Sequence, residues 1–235
     1  MSVGPVLIVF CREPIAGLTK TRLTPRLGAE NAALLGHAFT LDMLRKASDS
    51  GVARVVIAGS SAGDATRNPY FRRLARRFAT EIVDQGKGSL GRRMSRAFEP
   101  FRHQGALLVG TDLPTLPAKM IGHLLRLLEK SRFVLAPTLD GGYYAIGVRG
   151  PMPPVFACIR WGTSRVFGET IKRARLSGTK PRVGPAWYDI DRWSDLMMLV
   201  VHLEHIEAKI GEVHSHPCPA TAALLRRLGL LTRRG

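Results

Sequence analysis

Short apolar runs separated by helix-patterned stretches constrain this sequence more than any other feature. Val6–Phe10 (VLIVF), Ala106–Gly110 (ALLVG) and Phe133–Pro137 (FVLAP) contain no charged residue, and Val52–Ala58 is broken only by Arg54. Runs of that length, bounded by Gly and Pro, read as strands buried on both faces. Between them lie helical patterns. Gly28–Ser50 places Ala33, Leu34, Ala38, Leu41, Leu44 and Ala47 on one face, and Gly51 closes it. A short basic helix follows the polar loop 59–68, Thr80–Val83 reads as an edge strand, and Ala118–Lys130 is amphipathic. Strands alternating with helices predict parallel βαβ units, hence an α/β fold. At 235 residues, with no internal repeat and no low-complexity linker, a single domain over 1–235 is expected, with residues from about 212 packed on it as a C-terminal extension.

The chemistry-bearing residues cluster where those strands end. Asp112, in ALLVGTDLP, follows the central run at the carboxyl edge where open α/β sheets bind ligands. It reads as a metal or ribose ligand, or as a turn aspartate capping the next helix. After the first strand, residues 11–28 carry Pro14, Pro25, Gly17 and Gly28 with the cations Arg12, Lys20, Arg22 and Arg26, against the single acid Glu13. A loop of that composition suits phosphate, through backbone N–H groups and basic side chains, although its spacing is neither a P-loop nor GxGxxG. A solvated basic connection is the plainer alternative. In QGKGSLGRRMSRAF (85–98), Gly86, Gly88 and Gly91 lead into a helix whose first turn carries Arg92 and Arg93. Cations there oppose the helix dipole unless an anion relieves them.

Further on, Asp140-Gly141-Gly142 reads as a tight reversal into Tyr143–Val148, and its glycines would also admit a substrate close to the backbone. In CIRWGT (158–163), Arg160 and Trp161 either line an acceptor pocket or simply pack. Asp189 and Asp191 alternate on the extended segment WYDID and so point the same way, which suits a divalent cation. Ser194–Ala208 is helical, and Pro219 opens a last helix, Ala220–Leu228. The spacing His214-x-His216-x-Cys218 has no evident fourth zinc ligand, and flanking prolines make it an ordinary loop. His202 and His205 lack the HExxH pattern.

Charge narrows the partners. Thirty-five Lys and Arg against 18 Asp and Glu leave a net +17, which favours nucleotides, sugar phosphates, nucleic acid or acidic lipid. The cations are scattered, in RRLARR (72–77), GRR (91–93), RRL (226–228) and the final TRRG, with no interleaved aromatics for stacking bases. Solvated helix faces account for most of them, and nucleic acid is the less favoured partner. No run approaches the roughly 18 apolar residues of a membrane span. The start lacks the basic region of a signal peptide, and three distant cysteines fit a reducing cytoplasm.

Taken together, REPIAGLTKTRLTPRLG, QGKGSLGRRM, GTDLPTLP, APTLDGGYYAIGV, IRWGTS and WYDIDRWSDL occur in the order seen in a bacterial family of GT-A-like transferases. That family belongs to the nucleotide-diphospho-sugar transferase superfamily, and the resemblance runs over nearly the whole chain. It implies a Rossmann-like three-layer sandwich whose mostly parallel sheet has one antiparallel strand. By resemblance, Arg12, Gly17, Lys20 and Arg22 would hold phosphates, and Gly86, Gly88, Gly91 and Arg92 would approach the nucleobase. Asp112 and Asp191, with Asp189 beside them, match the metal ligands for Mg²⁺ or Mn²⁺. Asp140, Gly141, Gly142 and Trp161 would meet donor or acceptor. Two departures stand out: Ala16-Gly17 replaces the more usual Pro-Gly, and Ser89 stands where an acid is common.

The implied reaction is metal-dependent glycosyl transfer from a nucleotide-sugar to a small-molecule acceptor, with Asp112, Lys20 and Arg22 at its centre. Nucleotidyl transfer from a nucleoside triphosphate to a phosphorylated small molecule is the alternative, because both chemistries concentrate charge on a metal-bound diphosphate. A basic nucleic-acid-binding protein is the reading from another class; it predicts salt-sensitive binding and no need for Asp112. The reading leaves room for a homodimer.

Overall fold

The computed structural model describes residues 4–210 and 216–232. Seven strands form one sheet: β1 (Val6–Arg12), β2 (Val55–Ser60), β3 (Glu81–Asp84), β4 (Ala106–Gly110), β5 (Phe133–Pro137), β6 (Tyr143–Val148) and β7 (Arg182–Val183), in the order β3-β2-β1-β4-β6-β5-β7. All neighbouring pairs are parallel except those of β6, which runs antiparallel to both β4 and β5. The apolar runs are central or near-central strands, as their uniform hydrophobicity requires. β2 begins three residues later than Val52 and reaches Ser60, because its pairing with β1 continues to Arg12 opposite Ser60. The two-residue β7 gives no periodic signal in the sequence, and its pairing with β5 through Val134 and Leu135 is what makes it a strand.

Alternate residues of each strand feed opposite faces. Leu7, Val9, Ile57, Leu107 and Val109 pack under helices α2 (Ala29–Asp49), α3 (Pro69–Phe78) and α5 (Ala118–Glu129). Val6, Ile8, Val56, Leu108 and Ile146 pack against α4 (Leu90–Phe98) and α6 (Val166–Leu176). These are the three layers of the Rossmann-like sandwich. A third apolar cluster joins the outer side of α2, and the single turn α1 (Thr24–Leu27), to α7 (Trp193–Ile210) and α8 (Pro219–Arg227). α2 is therefore buried on two sides. Met43, Leu44 and Ala47 face the sheet and Leu35, Ala38 and Phe39 face α7 and α8, whereas Leu34, expected on the buried face, is exposed.

The docking of α8 rests on a buried acid. Asp42 of α2 accepts hydrogen bonds from Ala220 N (2.9 Å), Thr221 N (2.8 Å) and Thr221 Oγ1 (2.6 Å), so a carboxylate caps the first turn of α8 where the dipole favours it. One turn along α2, the buried Lys46 ammonium donates to the Pro114 carbonyl. Burial pushes the Lys46 pKa down to about 8. Of the His-x-His-x-Cys spacing, His214 lies outside the described residues, and His216 Nδ1 accepts from Cys218 N at 3.1 Å.

Candidate functional site

Strand order reverses direction between β1 and β4, so the loops leaving their carboxyl ends diverge and open a crevice. Residues 13–23, after β1, form a loop that closes in consecutive turns. Thr19 Oγ1 accepts from Ile15 N (3.0 Å) and donates to Glu13 O (3.2 Å), and Leu23 N donates to Lys20 O (2.8 Å). Gly36 of α2 lets this loop lie close, since a Cβ there would stand 2.6 Å from Thr19 Cγ2. Lys20 is held at φ +50°, a left-handed conformation uncommon for a lysine. That turn aims its side chain inward, where it is 6% exposed.

Inside, the Lys20 ammonium lies 2.7 Å from Asp112 Oδ1, 3.0 Å from Asp191 Oδ1 and 2.6 Å from the Ile190 carbonyl. Two carboxylates separated by 79 positions in the chain thus converge on one cationic position. A backbone bond from Ile190 N to Asp112 O (2.9 Å) joins the segments that carry them. Burial alone would lower the Lys20 pKa, but Asp112 and Asp191 outweigh it and the net shift is upward. For Asp191, burial works upward and Lys20 with Arg22 work downward, and the cations win. Arg22 reaches Asp191 Oδ2 at 3.4 Å from the solvent side.

A cleft of about 680 Å³ opens beside this pair, lined by Arg12, Lys20, Arg22, Arg93, Asp112 and Asp191 among others. The 85–98 segment reaches it through Gln85, Leu90 and Arg93 rather than through the glycines and Arg92. Gly86 (φ +63°) lies under Arg96, whose Nη1 would collide with any Cβ there, and Arg96 donates to Gln85 O (2.9 Å). Gly88 lies beside the Arg92 side chain, and Gly91 packs on Phe156 and Trp161. Arg92 points to solvent. Gly17 lies on the exposed rim of the β1 loop, with open space where a Cβ would be. Ser89, at the position where an acid is common, caps α4 by accepting from Arg92 N.

A second cleft of about 470 Å³ shares Arg22 and Asp191 with the first and is also lined by Asp140, Ser164, Asp189 and Asp195. Asp140 uses one oxygen for its own turn, accepting from Gly142 N (2.9 Å) and Thr138 Oγ1. Gly141 (φ +90°) faces protein, because a Cβ there would stand 2.1 Å from Ser164 O. Trp161 is half-buried against Phe156, with ring centroids 6.0 Å apart, while its neighbours Gly162 and Thr163 line the cleft. Asp189 and Asp191 both line it, as the extended segment predicts, but among the described residues no ion pair reaches Asp189. Burial, then the carboxylates of Asp140, Asp191 and Asp112, push its pKa up to about 6.

A family model described as an uncharacterized protein conserved in bacteria (DUF2064) matches residues 40–163. The chain belongs to that family. Among solved structures, the DUF2064 chain is similar to a protein from Desulfovibrio desulfuricans G20 provisionally described as a nucleotide-diphospho-sugar transferase. The two are 28% identical over 97% of this chain and 96% of that one, with a TM-score of 0.80. A cytidylyltransferase from Leptospira borgpetersenii serovar Hardjo-bovis (strain JB197) is 14% identical over 100% and 99% of the two chains, with a TM-score of 0.55. The inositol-1-phosphate CTP transferase of T. maritima is 14% identical over 91% and 98%, with a TM-score of 0.53. No curated protein matches the sequence. The fold is that of the nucleotide-diphospho-sugar transferases, as the ordered motifs imply.

Two cleft residues of the DUF2064 chain do more than their sequence pattern shows: Arg93 reads there only as a cation opposing the dipole of its helix, and Gln85 carries no signal of its own. Gln85 is fully buried and ties three elements together, its Nε2 donating to Cys11 O (2.9 Å) and Ala58 O (2.7 Å) and its Oε1 accepting from Arg93. Arg93 lies over the Phe10 ring at 5.5 Å, and its buried Nε has no protein partner among the described residues. Burial, then Arg12, lower its pKa. Helical spacing could have found it, since position 93 shares a face with the buried Ala97 and position 92 does not.

Proposed function

We propose that the chain is a nucleotide-dependent transferase that moves a glycosyl group from a nucleotide-sugar to a small hydroxylic acceptor. One observation carries the reading: Asp112 and Asp191 converge on a single cation position at the β1–β4 crevice, beside a cleft lined by Arg12, Lys20, Arg22 and Arg93. Transfer from a diphosphate demands charge neutralisation more than covalent help. The provisional description of the Desulfovibrio protein, similar over nearly the whole chain, supports the donor class.

The donor atoms fit Mg²⁺ or Mn²⁺. Carboxylates and the Ile190 carbonyl are hard oxygen ligands, and Mg²⁺ is commonly held by one or two carboxylates with substrate phosphates completing its shell. Among the described residues no group of three or more His, Cys, Asp or Glu could hold a metal without such help. When bound by Asp112 and Asp191, the cation would neutralise the diphosphate as it leaves. The Lys20 ammonium, which would yield that position to the metal, and Arg22 would then bind and orient the phosphates, and Arg12 would extend the clamp along the rim. Asp189 stands on the acceptor side, and a carboxyl with its pKa near 6 is suited to taking up the acceptor's proton.

Nucleotidyl transfer to a phosphorylated acceptor is the competing chemistry, drawn from the cytidylyltransferases that share the fold. Against it stand Asp140, Asp189, Asp191 and Asp195, four carboxylates lining the second cleft, where the lining cations among the described residues are Arg22 and Arg192 and Lys20 pairs with Asp191 from the other side. An acceptor phosphate would be repelled there, whereas hydroxyls or an amine would be welcomed. The test is thermal-shift screening of nucleoside triphosphates and nucleotide-sugars with and without Mn²⁺, followed by product analysis. Mn²⁺-dependent stabilisation by nucleotide-sugars and release of a nucleoside diphosphate are expected. Pyrophosphate release would assign nucleotidyl transfer instead, and no stabilisation by any nucleotide would overturn both.

A further inference from the structure

Behind the two aspartates runs a chain of hydrogen bonds that none of the proposed chemistry uses. Trp187 Nε1 donates to Thr115 Oγ1 (3.3 Å), Thr115 Oγ1 donates to Tyr188 Oη (2.6 Å), and Tyr188 Oη lies 2.5 Å from His202 Nδ1. Thr115 follows Asp112 by three positions, Trp187 and Tyr188 precede Asp191 by four and three, and His202 projects from α7. The Trp187 and Tyr188 rings stack at 5.7 Å and 17°. Thr115 is buried, and the other three members are half-buried.

The chain has a direction. An indole N–H only donates, so Thr115 accepts from Trp187 and must pass its own proton onward. Among the described residues, Tyr188 Oη is the acceptor within its reach. The tyrosine proton is then left with His202 Nδ1 as its acceptor. All three protons are satisfied only when Nδ1 carries none, which selects the neutral imidazole protonated at Nε2. Burial, with His205 nearby, keeps the His202 pKa low and favours the same neutral form.

We propose that His202 is a positioning residue: as terminal acceptor of this chain it clamps the Trp187–Asp191 segment onto the loop after β4 and so sets how Asp112 and Asp191 face each other. The backbone bond from Ile190 N to Asp112 O is the link it braces. That this spacing matters for a bound cation rests on the transferase reading; the clamp itself does not.

The test separates the two. Long-range ¹H–¹⁵N spectra of the full-length protein report the His202 tautomer, and hydrogen exchange reports the Ile190 amide. We expect an unprotonated Nδ1 at neutral pH. In His202→Leu and Tyr188→Phe the Ile190 amide should exchange about tenfold faster, the loss of one braced hydrogen bond. His202→Asn, whose Oδ1 stands near the position of Nδ1, should keep nearly wild-type exchange. Titration with Mn²⁺ alone should weaken about tenfold in His202→Leu and recover in His202→Asn. A protonated Nδ1, or unchanged Ile190 exchange in the Leu and Phe variants, overturns the clamp whatever nucleotides do. Should His202→Leu fail to fold, the wild-type tautomer and Tyr188→Phe still decide. Altered Ile190 exchange in a protein that binds no nucleotide would uphold the clamp and refute only the transferase reading.

Discussion

Lys20 is constrained twice, by a left-handed backbone and by an ammonium enclosed between two carboxylates. Strain of that kind costs about 1–3 kcal/mol and persists where surrounding structure over-determines it. Replacing the lysine by methionine leaves Asp112 and Asp191 facing each other without their shared counter-charge. Lys20→Met should therefore bind nucleotide at least about tenfold more weakly, the loss of a charge-assisted contact. Its stabilisation by Mn²⁺ should exceed that of wild type, because no ammonium competes for the position. Calorimetric titration and thermal shift measure both, and equal stabilisation of the two proteins would argue against a common cation site. Asp112 was legible from its place after an apolar strand. Asp191 was indicated as its partner only by the family resemblance, since Asp189 and Asp191 stand alike in the local pattern and the reach of Lys20 distinguishes them.

At the scale of elements, the central strands and the long helices were read to within about three residues of their ends, because burial on both faces leaves an apolar run, whereas the short α1 and β7 left no signal. The contacts that assemble them were not legible. Asp42 looks like any polar residue of a helix, yet it accepts three hydrogen bonds from the first turn of α8. Asp42→Asn keeps the shape but removes the charge facing the helix dipole and turns one acceptor into a donor. It should destabilise the protein by about 2–3 kcal/mol in urea unfolding, with α8 amides losing hydrogen-exchange protection first. Glycine-rich stretches misled in the same way. Gly86, Gly91 and Gly141 invite a ligand in the sequence, but Arg96, Phe156 and the Ser164 backbone already occupy the space beside them.

For the molecule as a whole, net charge and local charge point in different directions. A chain of net +17 gathers Asp112, Asp140 and Asp191 close enough to Asp189 to raise its pKa. Asp189 binds its proton more tightly when folded, so the unfolded chain ionises first as pH rises. Stability should decline from the ordinary value of 3.8 up to about 6 and level off above it. Thermal denaturation across pH 3 to 8 should show that decline in wild type and a flatter profile in Asp189→Asn. The order of the main strands and helices, the mostly parallel sheet and the carboxyl-edge position of Asp112 followed from the sequence alone, because periodicity and run length are local properties governed by burial. That Lys20 itself stands between the two carboxylates, which arginine enters the cleft and which glycines are already covered were decided only on folding. Those outcomes depend on distances between segments up to 171 positions apart, and no local pattern encodes such distances.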